Sequence, residues 1–381
     1  AYFPVAAGSP GPFDKNIPFG LVFKISSIVE FAGKTIESVK EKYGLEKIIK
    51  LASNENPLGP SPKSLQYVSE LLTENHRYPD PSGYKLKLSL AEKFKLKIDN
   101  IILGNGSEGV MSTILRTFLK DNDEIISAKN SFIGFKVLAN ASGKKVNWVN
   151  MKNYHYDLEG IAEQINKNTK IIYLANPDNP TGTYFTINQF DKFMKNVPDR
   201  VLIILDEAYF EYAQFIKDYP DSMFYRYDNV ITLRTFSKIY GLASLRVGWG
   251  YGDKKIIKNL NLIKPPFNLN TLAQQAAVES LKDTNFIYRS IKHNSVYARK
   301  VKKFLEKYNI KSNKVSANFL LLNFTKCKLR ARYFYEKLKL KGIILRSTEY
   351  GYKMKNMLRL TIGSKKENLK FMKEVESIFN K

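Results

Sequence analysis

A chain of 381 residues, 44% of them hydrophobic, is long enough for one large core and a smaller second one, and three scattered histidines with a single Cys327 exclude a disulfide-stapled or zinc-finger domain. The formal charge of +25 raises the question of a nucleic-acid or acidic-membrane surface. The lysines, however, alternate with apolar residues, as in Lys85, Lys87, Lys93, Lys95 and Lys97, so a solvated Lys-rich surface is the simpler reading and no nucleic-acid partner is expected. No apolar run approaches the roughly 20 residues of a bilayer span, and no basic stretch leads into an apolar core near the first residue. A cytoplasmic protein without a membrane partner and without a metal site is expected.

Residues 1–20 are rich in Pro, Gly and small side chains without periodicity, and read as a flexible segment or a remnant of recombinant expression. Ile25 to Lys50 reads as a helix, with Thr35 or Ser38 near its start and Gly44 at its end. The stretch L-A-S-N-E-N-P-L-G-P-S-P, Leu51 to Pro62, is too polar and too proline-bearing for regular structure. A helical segment from Pro62 to Glu74 follows, and then R-Y-P-D-P-S-G-Y, Arg77 to Tyr84, which puts Tyr78 on an exposed loop.

After a helix to about Lys97, the apolar Ile101 to Leu103 runs into G-N-G-S-E-G and an amphipathic stretch, Val110 to Leu119. A strand, a glycine turn and a helix start form an anion site when backbone N–H groups are left free; an ordinary tight turn fits the same residues. Short apolar runs recur at Glu124–Ala128, Val146–Val149, Ile171–Leu174, Val201–Leu205 and Val230–Leu233. Separated by helix-length segments, they predict an α/β fold with a mostly parallel sheet covered by helices on both faces. From about Asn270 the pattern changes to long helices, then short strands at Phe319–Phe324, Gly342–Arg346 and Met357–Ile362, and a final helix. The expected organisation is a large domain over 53–270 and a smaller α/β domain formed by 21–52 with 271–381.

Ligands of such sheets bind at the carboxyl ends of the strands, which directs attention to Asn130–Phe132, N-P-D-N-P-T-G at Asn176–Gly182, D-E-A-Y at Asp206–Tyr209 and T-F-S-K at Thr235–Lys238. A lysine among small hydroxyls, with Arg246 returning eight residues later, suits a phosphorylated carbonyl compound: the amine condenses with the carbonyl while hydroxyls and guanidinium take the phosphate. Pyridoxal phosphate is the obvious compound of this kind. Asp206, after five apolar residues, is costly unless paired; it is either a helix cap or the partner of a pyridinium nitrogen. Tyr209 and Asn179 are then candidates for the ring's phenolic oxygen, and Phe132 for one ring face.

Taken together, N-P-D-N-P-T-G, D-E-A-Y, S-K with the delayed arginine, and L-A-S-N-E-N-P-L-G-P resemble the fold type I pyridoxal-phosphate aminotransferases, and among them most the histidinol-phosphate aminotransferases, from about Ile25 onward. The resemblance implies that Lys238 carries the cofactor and shuttles the proton, that Asp206 binds the pyridine nitrogen, and that Asn179 and Tyr209 meet the phenolic oxygen under a stacked Phe132. It implies a phosphate cup of Gly106, Ser107, Glu108, Thr235, Ser237 and Arg246, joined by Tyr78 of a second subunit in a homodimer with shared active sites. Arg359 in L-R-L-T-I-G would bind the substrate anion, helped by Arg346 and Asn179. The implied reaction exchanges an amino group between histidinol phosphate, or imidazole acetol phosphate, and 2-oxoglutarate or glutamate, in histidine biosynthesis. Phe31 and Phe267 depart from the tyrosines frequent in that group, which keeps an aromatic amino-acid aminotransferase as the alternative.

Overall fold

The computed structural model describes residues 37, 40–41, 44–223 and 227–380. Residues 1–20, Phe31 and most of the expected helix over Ile25–Lys50 lie outside them. The chain runs through β1 (Ile49–Leu51), α1 (Pro62–Glu70), α2 (Tyr84–Phe94), β2 (Ile101–Asn105), α3 (Gly106–Phe118), β3 (Glu124–Ala128), α4 (Ile133–Ala141), β4 (Lys145–Val149) and α5 (Leu158–Glu163). It continues with β5 (Thr169–Ala175), α6 (Ile187–Met194), β6 (Leu202–Asp206), α7 (Phe210–Ala213), β7 (Val230–Thr235), β8 (Val247–Tyr251), α8 (Lys254–Ile263), α9 (Thr271–Lys282) and α10 (Thr284–Glu306). The last elements are β9 (Lys311–Ser312), β10 (Phe319–Asn323), α11 (Ala331–Leu340), β11 (Ile343–Ser347), β12 (Met357–Thr361) and α12 (Lys365–Phe379).

Seven strands form one sheet in the order β2-β8-β7-β6-β5-β3-β4. Only β8 runs against its neighbours, β2 and β7. Ile125, Ile171, Ile204 and Ile231 enter one core, whereas Ile126, Ile172, Ile203 and Leu205 enter another. Successive residues of each strand thus face opposite sides, and both sides are covered, which is why these strands read as unbroken apolar runs. Strand β8 escapes that reading because of its glycines. A Cβ on Gly248 would lie 2.3 Å from the amide nitrogen of Ser107, and one on Gly250 2.8 Å from a Leu233 methyl, so close approach rather than side-chain packing decides the sequence there.

The second sheet has the order β1-β11-β12-β10-β9, with β1 parallel to β11 and the other pairs antiparallel. The expected helix to Lys50 is corrected here: beyond Gly44, which turns at φ +63°, Ile49–Leu51 pair with Ile343–Leu345. The β-branched Ile49 gains more from that edge than from another helical turn. Leu358 and Leu360 of β12 face the core shared with α10, α11 and α12. By strand alternation Arg359 and Thr361 take the other side, and Arg346 of β11 lies directly opposite Arg359. The expected grouping of 271–381 puts α9 with this sheet. Its Ala273, Ala276 and Ala277 instead pack with Leu86, Leu90 and Trp249, beside α1 and α2, since a small-residue face suits close helix contact. Among the described residues no helix is long and apolar enough to cross a membrane.

Candidate active site

A cavity of about 410 Å³ opens where β5, β6 and β7 end, walled by their last residues Ala175, Asp206 and Thr235. Asp206 is buried, 4% exposed. Its Oδ2 accepts from the Tyr173 hydroxyl at 2.8 Å and its Oδ1 from the Ala208 N–H at 3.1 Å. Burial pushes its carboxyl up to about 6, against the pull of those two donors. A rise of that size costs the ionised form about 3 kcal/mol at neutral pH, more than the roughly 1 kcal/mol that a helix cap contributes. A buried carboxylate with a raised pKa on a cavity wall is a candidate functional group.

Lys238, three residues past the end of β7, lines the same cavity. Burial, and then the charge of Arg359, pull its ammonium down to about 8, so about a tenth of it is free amine at pH 7, far more than at an ordinary lysine. Its Nζ stands 5.8 Å from the centre of the Tyr209 ring. Phe132, at the start of α4, and Pro177 contribute apolar wall.

At the other end lies the start of α3. Asn105 gives this helix no side-chain cap, and Ser107 and Glu108 of its first turn line the cavity. Gly106, at φ +73°, has its N–H bonded to the Arg246 carbonyl at 3.0 Å. A Cβ there would come 2.6 Å from Arg246 Nη2, so only glycine lets the guanidinium sit over the helix start. Arg246 Nη1 donates to Ser237 Oγ at 3.2 Å, Nη2 faces Glu108 at 3.6 Å, and the Ser237 N–H donates to Thr235 Oγ1 at 3.1 Å. Uncapped N–H groups, two hydroxyls and an arginine converge in the manner of an anion cradle.

The L-A-S-N-E-N-P loop ties this cavity to the second sheet. Asn54 Nδ2 donates to the Tyr209 hydroxyl at 2.8 Å, while its side-chain oxygen accepts from Thr361 Oγ1 of β12 at 2.9 Å. Asn179, on the cavity wall, accepts from Arg359 Nη1 at 2.5 Å, and Arg359 Nη2 donates to the Ala52 carbonyl. Arg359 is therefore behind Asn179, 4% exposed, rather than on the wall. Its Nε has no partner among the described residues. Arg346 flanks it across the strand pair.

Lys238, Asp206, Tyr209, Asn179, Phe132, Ser107, Glu108, Thr235, Ser237 and Arg246 thus share one cavity, with Gly106 beneath the guanidinium. Tyr78 does not join them: it is 83% exposed and stacks on Phe267 with ring centres 4.7 Å apart. Asn54, Tyr173, Tyr352 and Asp178 carry no expectation from the sequence. Tyr352 reaches Arg359 and Asn179 at 3.4 Å. Asp178 accepts from Ser131 at 2.5 Å and from Thr181 at 2.8 Å, fixing the loop before Asn179. For Asn54 and Asp178 a signal exists, since both fall inside the motifs; Tyr352 has none.

Residues 46–375 match the family model for aminotransferases of class I and II. The chain belongs to that family. This aminotransferase is 47% identical over 338 residues to the histidinol-phosphate aminotransferase of Pelagibacter ubique, covering 88% of the present chain and 94% of the relative. Against histidinol-phosphate aminotransferase 2 of Carboxydothermus hydrogenoformans the identity is 38% over 352 residues, 91% of this chain and 95% of the other. Among solved structures, the aminotransferase superposes with a TM-score of 0.82 on the Sinorhizobium meliloti histidinol-phosphate aminotransferase in complex with pyridoxal-5'-phosphate. That match has 22% identity and covers 90% and 95% of the two chains, and it speaks for the fold.

Proposed function

We propose that this aminotransferase uses pyridoxal 5'-phosphate to exchange an amino group between histidinol phosphate, or imidazole acetol phosphate, and 2-oxoglutarate or glutamate. The observation that carries the reading is the convergence on one cavity of Asp206 and Tyr209, after β6, with Lys238 and Arg246, between β7 and β8. Relatives named for histidinol phosphate at up to 47% identity support the substrate. The site fits the cofactor at three points: an uncapped helix start under Arg246, a buried carboxylate, and an amine poised between its two protonation states.

In this reading the start of α3 with Thr235, Ser237 and Arg246 holds the cofactor's phosphate, joined by Tyr78 of a second subunit. Asp206 accepts the ring N–H and keeps that nitrogen protonated. Asn179 and Tyr209 donate to the phenolic oxygen, and Phe132 covers a ring face. Bound pyridoxal phosphate supplies an electron sink for the carbon that loses its proton. Lys238 Nζ takes and returns that proton, a task suited to an amine titrating near neutrality. Arg359, flanked by Arg346 and held through Asn179, supplies forked donors that suit both the carboxylate of glutamate and a phosphate. Glutamate and the phosphorylated ketone would occupy the site in turn, so each would meet the same anchor. The protein works as a cytoplasmic homodimer with shared sites, in histidine biosynthesis.

Steady-state kinetics with histidinol phosphate, phenylalanine and tyrosine, each paired with 2-oxoglutarate, test the substrate. The highest kcat/KM is expected for histidinol phosphate. A clear preference for the aromatic amino acids would replace this substrate by the alternative, in line with Phe267 lacking the hydroxyl that a phosphate would bind.

A further inference from the structure

Tyr173 takes no part in the assignment above, yet it is the side-chain donor to Asp206 among the described residues. In the parallel pairing of β5 with β6, Tyr173 lies beside Ile204 and Ala175 beside Asp206. Tyr173 and Asp206 therefore share one face of the sheet, and the phenol reaches along it to Oδ2 at 2.8 Å. Its ring is fully buried and stacks on Phe135 of α4, with centres 4.0 Å apart and planes within 7°. Phe132, the residue just before that helix, lies on the cavity wall. Phenylalanine would fill this slot equally well. The hydroxyl has no other hydrogen-bond partner among the described residues, so the carboxylate is what the extra oxygen serves.

We propose that Tyr173 is a positioning residue: by donating to Oδ2 it holds the Asp206 carboxylate ionised and oriented against the cofactor's ring nitrogen. This rests on the assignment of Asp206 to that nitrogen. A donor to a carboxylate stabilises the anion and weakens it as a base. With Oδ1 bound to the Ala208 N–H and Oδ2 to the phenol, the carboxylate cannot turn, and the shared proton stays on the ring. Without the phenol, Asp206 competes more strongly for that proton, and the ring loses the positive charge that draws electrons from the substrate.

The test compares holoenzymes loaded with cofactor isotopically labelled at the ring nitrogen, whose NMR signal reports protonation independently of turnover. In the wild type the signal of a protonated ring is expected. In Tyr173→Phe, which keeps the stack, it should move toward the neutral ring, with kcat down roughly tenfold and both KM values nearly unchanged. An unmoved nitrogen signal overturns the proposal, whether or not kcat falls, because a merely structural role would leave that signal alone. Should Tyr173→Phe not yield folded protein, Phe135→Leu decides: it loosens the stack while keeping the hydroxyl, so the signal must stay that of a protonated ring, and a move toward the neutral ring would show that packing rather than the hydroxyl sets it and overturn the proposal. Absence of cofactor binding, or an unprotonated ring, in the wild type would instead be a failure of the Asp206 assignment itself.

Discussion

Arg359 Nη1 donates to Asn179 Oδ1 at 2.5 Å, so the guanidinium assigned to the substrate is bound to the amide assigned to the cofactor. With Nη2 on the Ala52 carbonyl, one side chain fastens β12 both to the loop after β5 and to the loop after β1. Under the proposed assignment, a substrate anion at this arginine would act on the cofactor ring through Asn179.

The first prediction follows from that bond. Arg359→Lys keeps the charge and loses the fork, so one ammonium cannot serve Asn179, Ala52 and an anion together. The KM values for glutamate and histidinol phosphate are expected to rise together, each by about tenfold or more. If both stay constant while cofactor affinity falls, Arg359 is only a brace for Asn179.

A second prediction concerns the Lys238 amine, which burial and Arg359 bring down to about 8 from 10.5. Only the free amine condenses with an aldehyde. Covalent capture of pyridoxal phosphate by the apoprotein, followed by absorbance, should therefore quicken as pH rises and level off above about 8, instead of climbing on toward 10.5. Lys238→Ala should show no capture and almost no turnover. An inflection above pH 10 would mean that the amine is not desolvated.

Asp206 offers the opposite sign. Its carboxyl is raised from 3.8 to about 6, so between those values the folded apoprotein binds more protons than the unfolded chain, and stability falls as pH rises through that window. Below it the cost is absent. Asp206→Asn should therefore raise the melting temperature of the apoprotein at pH 7, by the equivalent of about 3 kcal/mol, and leave it nearly unchanged near pH 4. The same variant should transaminate very poorly. Thermal melts at both pH values, with a turnover assay, check the two halves; a variant that is less stable at pH 7 makes Asp206 a structural cap.

How much of this site is legible in the sequence depends on where each residue's partner comes from. Asp206 and Lys238 stand out because a buried strand ends abruptly in polar residues, which is a local signal. Tyr173 sits inside I-I-Y-L-A, where a tyrosine reads as core, and its target exists only once β5 pairs with β6. The burial of Arg359 behind Asn179 arises from packing between two sheets, which no local pattern encodes. Strand β8 is hidden by glycines that the start of α3 requires, and β1 by a three-residue length that only the edge of β11 makes stable. Local breaks in periodicity thus expose the chemistry, and long-range contacts determine how it is held.

The last prediction is that the site is completed across a homodimer by Tyr78. This tyrosine is 83% exposed on its own subunit and stacked on Phe267, away from the residues that line the cavity. The exposed pair joins two proline-bearing loops, Tyr78 from one and Phe267 from the other, a surface that marks a contact site, and in the proposed dimer the phosphate of the neighbouring subunit's cofactor would give the Tyr78 hydroxyl an acceptor. Tyr78→Phe then removes one hydrogen bond to a charged group, worth about 1.5–3 kcal/mol, and cofactor affinity should drop by roughly ten- to a hundredfold. The melting temperature of the apoprotein should barely move. The sharper measurement mixes Tyr78→Ala with Lys238→Ala at limiting cofactor, each nearly inactive alone. After refolding together, half the dimers pair one variant with the other, and each such dimer holds one site with both native residues. Activity is expected to return toward about a quarter of the wild type. If Tyr78 acted within its own subunit, no site in the mixture would contain both residues, so absence of recovery, with the mixed dimers shown to be present, would refute the shared site.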